Sequence, residues 1–173
     1  MKYFISDIHF SDERIMKLCS RPFDDTIEMD EYIINCWNNK VKATDDVYIL
    51  GDISKEYSPN IYSQLNGKKH LILGNHDYAF RNELQLSDCF VEVVDIKTIF
   101  IYDKKVILCH YPIMDWEDSH LGSIHLYGHI HNKNLPDIKN YYKDKLAFNA
   151  SADVIGFIPR TLEELIEIKE ESL

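Results

Sequence analysis

The 173-residue sequence contains no CxxC pair, and its four cysteines, Cys19, Cys36, Cys89 and Cys109, stand far apart. That spacing argues against a zinc ribbon or a disulfide framework and predicts reduced core thiols. No stretch approaches the ~18 apolar residues of a membrane span, and the opening Met1-Lys2-Tyr3-Phe4-Ile5-Ser6-Asp7 turns polar too soon for a signal peptide. The expectation is a cytoplasmic protein with no membrane attachment. Basic residues are scarce: 19 Lys and Arg against 29 Asp and Glu give a formal net charge of -10. Broad nucleic-acid binding is disfavoured, because that affinity comes from Lys and Arg displacing counterions. Neither a GxGxxG nor a GxxxxGK[ST] loop is present to support nucleotide binding. No internal repeat, low-complexity segment or linker divides the chain. With 45% hydrophobic and 28% charged residues, a single domain over 1–173 with a sizeable core is expected. An acidic chain can still bind phosphate through metal, since two divalent ions would take -10 to -6 and concentrate positive charge locally.

What is present alternates between apolar runs and polar loops. Residues 2–6 read as a short buried strand, followed by the loop Asp7-Ile8-His9-Phe10. Ser11 is placed as the cap of a helix that turns Ile15, Met16, Leu18 and Cys19 inward and ends at Arg21-Pro22. Over 26–39 the spacing predicts a second helix, with Met29, Tyr32, Ile33, Cys36 and Trp37 as its core stripe. A second strand, 47–50, stops at Gly51-Asp52. Ser58-Pro59 starts and Asn66-Gly67 stops another helix. The run 70–73 enters Gly74-Asn75-His76-Asp77, followed by a short helix over 78–86 and a strand over 91–95. Residues 98–102 and 105–109 read as a hairpin about Asp103-Lys104, 112–123 as a polar aromatic loop, and 124–127 as a strand. The last helix carries a capping box, Thr161-Leu162-Glu163-Glu164. Strands and helices alternate early and strands dominate later, which predicts a layered α/β domain.

Five of these strands give way at their carboxyl ends to Asp, His or Asn: Asp7 with His9, Asp52, Asn75 with His76, His110, and His129 with His131. In layered α/β proteins ligands gather outside strand carboxyl ends, so the set is expected to converge on one crevice. Residues two apart on an extended backbone point the same way, making Asp7/His9 and His129/His131 two-toothed grips. Each fragment is ordinary by itself, since Gly-Asn and Gly-Asp are common turn chemistry. As an ordered set following strands they are poorly explained by chance. Imidazole, carboxylate and amide oxygen together suit Mn, Fe or Zn better than Ca or Mg. Seven candidate ligands exceed one tetrahedral site, and two adjacent metals sharing a carboxylate would use them all.

In this order, Asp7-Ile8-His9, Gly51-Asp52, Gly74-Asn75-His76-Asp77, His110 and Gly128-His129-Ile130-His131, the sequence resembles the calcineurin-like metallophosphoesterases, whose pattern is DxH, GD, GNH, H and GHxH. Within that superfamily it looks most like the small bacterial predicted phosphoesterases, sharing Ser6-Asp7-Ile8-His9, Arg21-Pro22-Phe23, His110-Tyr111-Pro112 and Leu126-Tyr127-Gly128-His129. The resemblance implies a four-layer α-β-β-α sandwich with mixed β-sheets and two divalent metal ions at one end. Manganese leads as the metal in vitro, with Fe, Zn, Ni or Co as alternatives. Carried over by position, Asp7, His9 and His131 would hold the first metal, Asn75, His110 and His129 the second, and Asp52 both. His76 would face the substrate as the catalytic general acid, oriented by Asp77. Where relatives often continue with Gly-His, this chain has Ser11-Asp12, and nothing remains for a separate cap domain.

The activity implied is hydrolysis of a small phosphoester, monoester or diester, by attack of metal-bound hydroxide. The rival enzyme reading is a metal-dependent nuclease, disfavoured by the charge and by the lack of a basic stripe with interleaved aromatics. A rival of another class is a non-catalytic metal-binding scaffold that docks a partner protein. His70, His120 and His125 carry no motif and are read as structural or solvated. Asn149, Ser151 and Asp153 are placed as outer supports of the ligand histidines. Asp12, Tyr57 and Trp116 are expected to shape the pocket, and the late glutamates 163, 164, 167, 170 and 171 to form a solvated helix face.

Overall fold

The computed structural model describes residues 1–79, 81–82 and 86–171. The short apolar runs of the first half are buried on both faces, as parallel strands require. β1 (Lys2–Ile5), β2 (Asp46–Ile49), β3 (Lys68–Ile72) and β4 (Glu92–Val94) form one sheet in that order, parallel throughout. A second sheet runs β5 (Ile96–Ile101), β6 (Lys104–Cys109), β7 (Ile124–Tyr127) and β8 (Ala147–Asn149), with β5 antiparallel to β6 and the other pairs parallel. Only this second sheet is therefore mixed. The helices are α1 (Glu13–Cys19), α2 (Thr26–Lys40), α3 (Pro59–Tyr62), α4 (Leu86–Cys89), α5 (Pro136–Tyr142), α6 (Ala152–Ile155) and α7 (Leu162–Glu171).

One buried cluster joins Met29, Ile33 and Trp37 of α2 to Phe4, Ile49 and Leu71 of the first sheet and Val106, Leu126 and Phe148 of the second. A smaller cluster on the other face of the second sheet brings Ile107, Tyr127 and Ala147 under Tyr142 of α5 and Trp116. The layers thus run α-β-β-α. The sheets meet at Ser6, whose N–H donates to Ala150 O (2.8 Å) and whose C=O accepts from Ala152 N (2.8 Å), sewing the end of β1 to the chain after β8.

Several local expectations are corrected. Asp12, not Ser11, caps α1, because Ser11 is drawn to Asp30 through its N–H (3.0 Å) and hydroxyl (2.8 Å). Leu18 and Tyr32 lie exposed, since α1 and α2 each press only one narrow stripe inward. The hairpin turns at Tyr102-Asp103, with Tyr102 left-handed at φ 51°, one residue earlier than the sequence suggests. The 78–86 helix falls partly outside the described residues; what is described is one 3-10 turn at Asp77–Ala79 and α4. α5 carries Pro136 in its first turn and was not anticipated. The capping box holds: Thr161 N donates to Glu164 Oε2 at 2.8 Å. Glu164 also pairs with Lys40 at 2.6 Å, so it is not part of a purely solvated face.

Candidate metal centre

Each motif leaves its strand on a loop, and the loops are tied to one another by backbone hydrogen bonds. Asp7 N donates to Gly51 O (2.9 Å), His9 N to Asp52 O (3.0 Å), and Gly128 N to His110 O (2.9 Å). Close approach here leaves no space for side chains. A Cβ on Gly74 would lie 2.2 Å from Asp52 Oδ1, and one on Gly128 only 1.9 Å from Ser6 Oγ and 2.3 Å from Asp7 Oδ2. The two-toothed grips do not work as pleated strands do. Asp7 (φ 54°), His9 (53°), Asp52 (53°), His129 (69°) and His131 (51°) are all left-handed. Asp and His tolerate that region better than most residues, yet each instance costs ~1 kcal/mol or more, and such strain gathers at functional sites.

Five of the expected residues meet around the Asp52 carboxylate and the Asn75 amide. Asp52 Oδ2 lies 3.6 Å from His9 Nε2 and 3.5 Å from His110 Nε2. Asn75 Oδ1 lies 3.1 Å from His110 Nε2 and 3.0 Å from His129 Nδ1. On the other flank, Asp7 Oδ1 is 3.5 Å from His131 Nε2. Asp7, His9 and His131 form one set of mutually close donors, and Asp7, Asp52 and His110 another. His76 sits on the exposed rim, its ring centroid 5.1 Å from that of His9, and its backbone N–H donates to Asp52 Oδ1 at 2.9 Å.

The donors are held from behind. His110 Nδ1 meets Leu50 O at 2.8 Å, so its other nitrogen faces the cluster. Asp7 Oδ2 accepts from Ser151 Oγ (2.8 Å), and His129 N donates to both carboxylate oxygens (2.9 Å to Oδ2, 3.1 Å to Oδ1), with Oδ1 on the His131 side. His131 Nδ1 meets Asp153 Oδ2 at 2.7 Å, and Asn149 Nδ2 donates to His131 O at 3.0 Å. Asn149, Ser151 and Asp153 therefore all support the cluster. Arg21, a helix end and part of the shared Arg21-Pro22-Phe23 in sequence, takes a supporting role here. Its buried guanidinium donates to Asp153 (2.8 and 3.0 Å), to Ile8 O (2.7 Å) and to Asp7 O (2.7 Å). Spacing does not reveal a pair so far apart in sequence; the signals are Arg-Pro closing a helix whose inward face is apolar and the shared Arg21-Pro22-Phe23.

Asp77 does not orient His76. Its fully buried carboxylate accepts from Asp52 N (2.7 Å), Gly74 N (2.8 Å) and Ile53 N (3.1 Å), pinning the loops after β2 and β3 together. Burial pushes this carboxyl up to about 7 in spite of those donors. Trp116 is buried against His125 rather than lining a pocket, and His125 holds Ile107 O and Ile113 N. His70 bridges Glu92 (2.6 Å) and Asp46 (2.9 Å), while His120 is exposed. The four cysteines are free, two buried and two half-buried.

The donor set fits cations. Burial pushes His9 down to about 3, so its ring is neutral, and both its nitrogens are buried with no hydrogen-bond partner. A neutral imidazole carries one N–H and one lone pair, and here the lone pair is buried with no donor to meet it, a cost that a cation removes. With the Nδ1 proton of His110 given to Leu50, His110 Nε2, Asp52 Oδ2 and Asn75 Oδ1 likewise converge as acceptors. Burial also raises the Asp52 carboxyl above its usual range, the response of an anion lacking its counter-charge.

Comparison with known proteins agrees with this arrangement. An uncharacterised protein of Methanocaldococcus jannaschii is 30% identical over 174 residues, covering 98% of this chain and 91% of that one. The gene 66 protein of Mycobacterium phage D29 is 27% identical over 162 residues, covering 76% and 78%. The crystal structure of a protein of unknown function from Aquifex aeolicus superposes with a TM-score of 0.77 at 26% identity, over 97% of this chain and 98% of that one. No helix among the described residues is long and apolar enough to cross a membrane. The family model of the calcineurin-like phosphoesterases matches residues 3–161, from β1 to the cap of α7 and across every donor described above, and the chain belongs to that family.

Proposed function

We propose that this protein hydrolyses a small phosphoester, monoester or diester, at two divalent cations, one held by Asp7, His9 and His131, the other by Asn75, His110 and His129, with Asp52 shared. The observation that carries this is the position of Asp52 Oδ2, 3.6 Å from His9 Nε2 and 3.5 Å from His110 Nε2, between the two donor sets. Bound there, such ions supply an activated water and neutralise charge on the phosphate oxygens. The chain's own groups do the remainder. Asp77 and Arg21 fix the loops, and the neutral His9 ring is ready to ligate without releasing a proton. His76, on the rim beside His9, gives the proton to the departing alkoxide. Manganese is the first metal to test, with Fe, Zn, Ni or Co after it, and a cytoplasmic protein acting on small esters away from membranes is the setting.

The test is a metal-loaded preparation, its ions counted by mass spectrometry, assayed on aryl phosphates, aryl phosphodiesters, cyclic nucleotides and single-stranded DNA or RNA. Turnover of small esters, lost together with metal in Asp52→Asn, is expected. Two ions per chain with no turnover of any ester would overturn it and favour the scaffold reading; preference for the polynucleotides would favour a nuclease.

A further inference from the structure

Beside the metal centre, α5, α7 and the ends of β7 and β8 enclose a cavity of about 350 Å3. Its body is apolar, with Tyr127, Ile138, Leu165 and Ile168 in the wall. Its charge is one-sided. Four lysines line it, Lys133, Lys139, Lys143 and Lys169, and no carboxylate does, in a chain with 29 acidic residues. Chance placement in so acidic a chain would put acids there at least as often as bases.

The lysines divide into two kinds. Lys169 is fixed in the wall, its ammonium donating to Tyr142 O (2.8 Å), Lys145 O (2.8 Å) and Ala147 O (3.2 Å) and standing 5.2 Å from the Phe148 ring centre. Lys133, Lys139 and Lys143 are exposed at the mouth, and none of the three forms an ion pair within the described residues. An apolar chamber with a cationic mouth matches one kind of occupant, and the volume lies in the usual range for small-molecule sites, ~300–1,000 Å3. Asp52, Asn75, His76 and His129 do not line it; of the residues described at the metal centre His131 and Asn149 do.

We infer that this cavity binds a small amphipathic anion, an aromatic or short acyl body seated on Tyr127, Ile138, Leu165 and Ile168 with a single anionic head at the lysines of the mouth. The site adjoins the one proposed for hydrolysis, sharing His131 as a wall, and its inference stands whether or not that reading does. Its head group, carboxylate or phosphate, is recognised by the same ammonium groups.

The experiment titrates the manganese-loaded protein with the fluorescent probe 1-anilinonaphthalene-8-sulfonate, then displaces it with octanoate, the non-hydrolysable octylphosphonate or octanol. One saturable site is expected, displaced by octanoate or octylphosphonate, whichever head binds, and not by octanol. Reversing the mouth charges in a Lys133→Glu/Lys139→Glu/Lys143→Glu protein is expected to weaken probe binding roughly tenfold. Ile138→Trp, which fills the chamber, removes the site while the thermal melt remains cooperative. Probe binding within twofold of wild type in the charge-reversed protein, or octanol displacing as well as octanoate, would overturn the inference. Should Ile138→Trp fail to fold, the exposed lysine substitutions still decide it.

Discussion

Asp153 grips two partners at once: one oxygen meets His131 Nδ1 at 2.7 Å, and both meet the Arg21 guanidinium, at 2.8 and 3.0 Å. Because Arg21 also holds the carbonyls of Asp7 and Ile8, a single carboxylate sets the positions of donors from the first and last motifs. Replacing it with asparagine keeps the size and removes the charge. Outer partners of metal-binding histidines typically account for 10–100-fold in metal affinity, so Asp153→Asn is expected to weaken Mn binding about that much. Calorimetric titration reads the effect, and an unchanged affinity would reduce Asp153 to a packing role.

His76 lies at the rim and outside both donor sets. His76→Ala should leave two ions per chain and lower kcat by ~100-fold to 10,000-fold on alkyl esters, where the leaving group needs a proton. With p-nitrophenyl esters, whose leaving group needs little help, the loss should be much smaller. Equal losses on both substrate types would argue against proton donation, and lost metal would make His76 a ligand.

Protonation and metal content should trade against each other. Burial raises the Asp77 carboxyl to about 7; at His131 burial acts downward but the Asp153 hydrogen bond and the Asp7 charge override it, lifting the ring to about 10. Both groups hold their proton more tightly folded than unfolded. Stability from Asp77 is therefore lost as pH climbs from its ordinary 3.8 toward 7, and that from His131 from 6.5 toward 10. His9, pushed down to about 3, opposes this only below its ordinary 6.5. Between about pH 7 and about pH 9 the chelated protein should thus lose Tm. His131 must shed its proton to ligate, so added Mn should raise Tm more at the upper end of that window. A Tm gain that shrinks with rising pH would contradict this.

Gly128 is a position where one methyl group should be felt at the donor cluster. Its Cβ would stand 1.9 Å from Ser6 Oγ and 2.3 Å from Asp7 Oδ2. Gly128→Ala is expected to cost about 1–3 kcal/mol of stability, by overpacking, and to release the cation nearer Asp7. Denaturant melts and metal counting check the two parts separately, and a variant with normal values for both would refute the tight contact.

Much of this arrangement was legible because the donors lie at fixed offsets from apolar runs. Ile124–Tyr127 ends one residue before Gly128, and the capping box at Thr161 opens α7 as its residues require. What was hidden has no short-range signature. The grips rest on left-handed backbone at Asp7, His9, His129 and His131, whereas an extended chain was the natural assumption. Arg21 finds Asp153 from 132 positions away, and Asp77 spends its carboxylate on three backbone N–H groups instead of the histidine beside it. α5 has no such signature because seven residues opening on Pro136, with polar and apolar side chains in equal number, make too few turns for a period.

Both of the proposed metal-binding sets draw on both sheets: Asp7 and His9 follow β1 while His131 follows β7, and Asn75 follows β3 while His110 and His129 follow β6 and β7. Away from Ser6 and the donor cluster the two sheets adhere mainly through interdigitated apolar side chains. Cations seated in these sets would act as rivets through that layer at one end only. Shear applied along the strands would then pivot the sandwich about its riveted end, and chelation would remove that pivot.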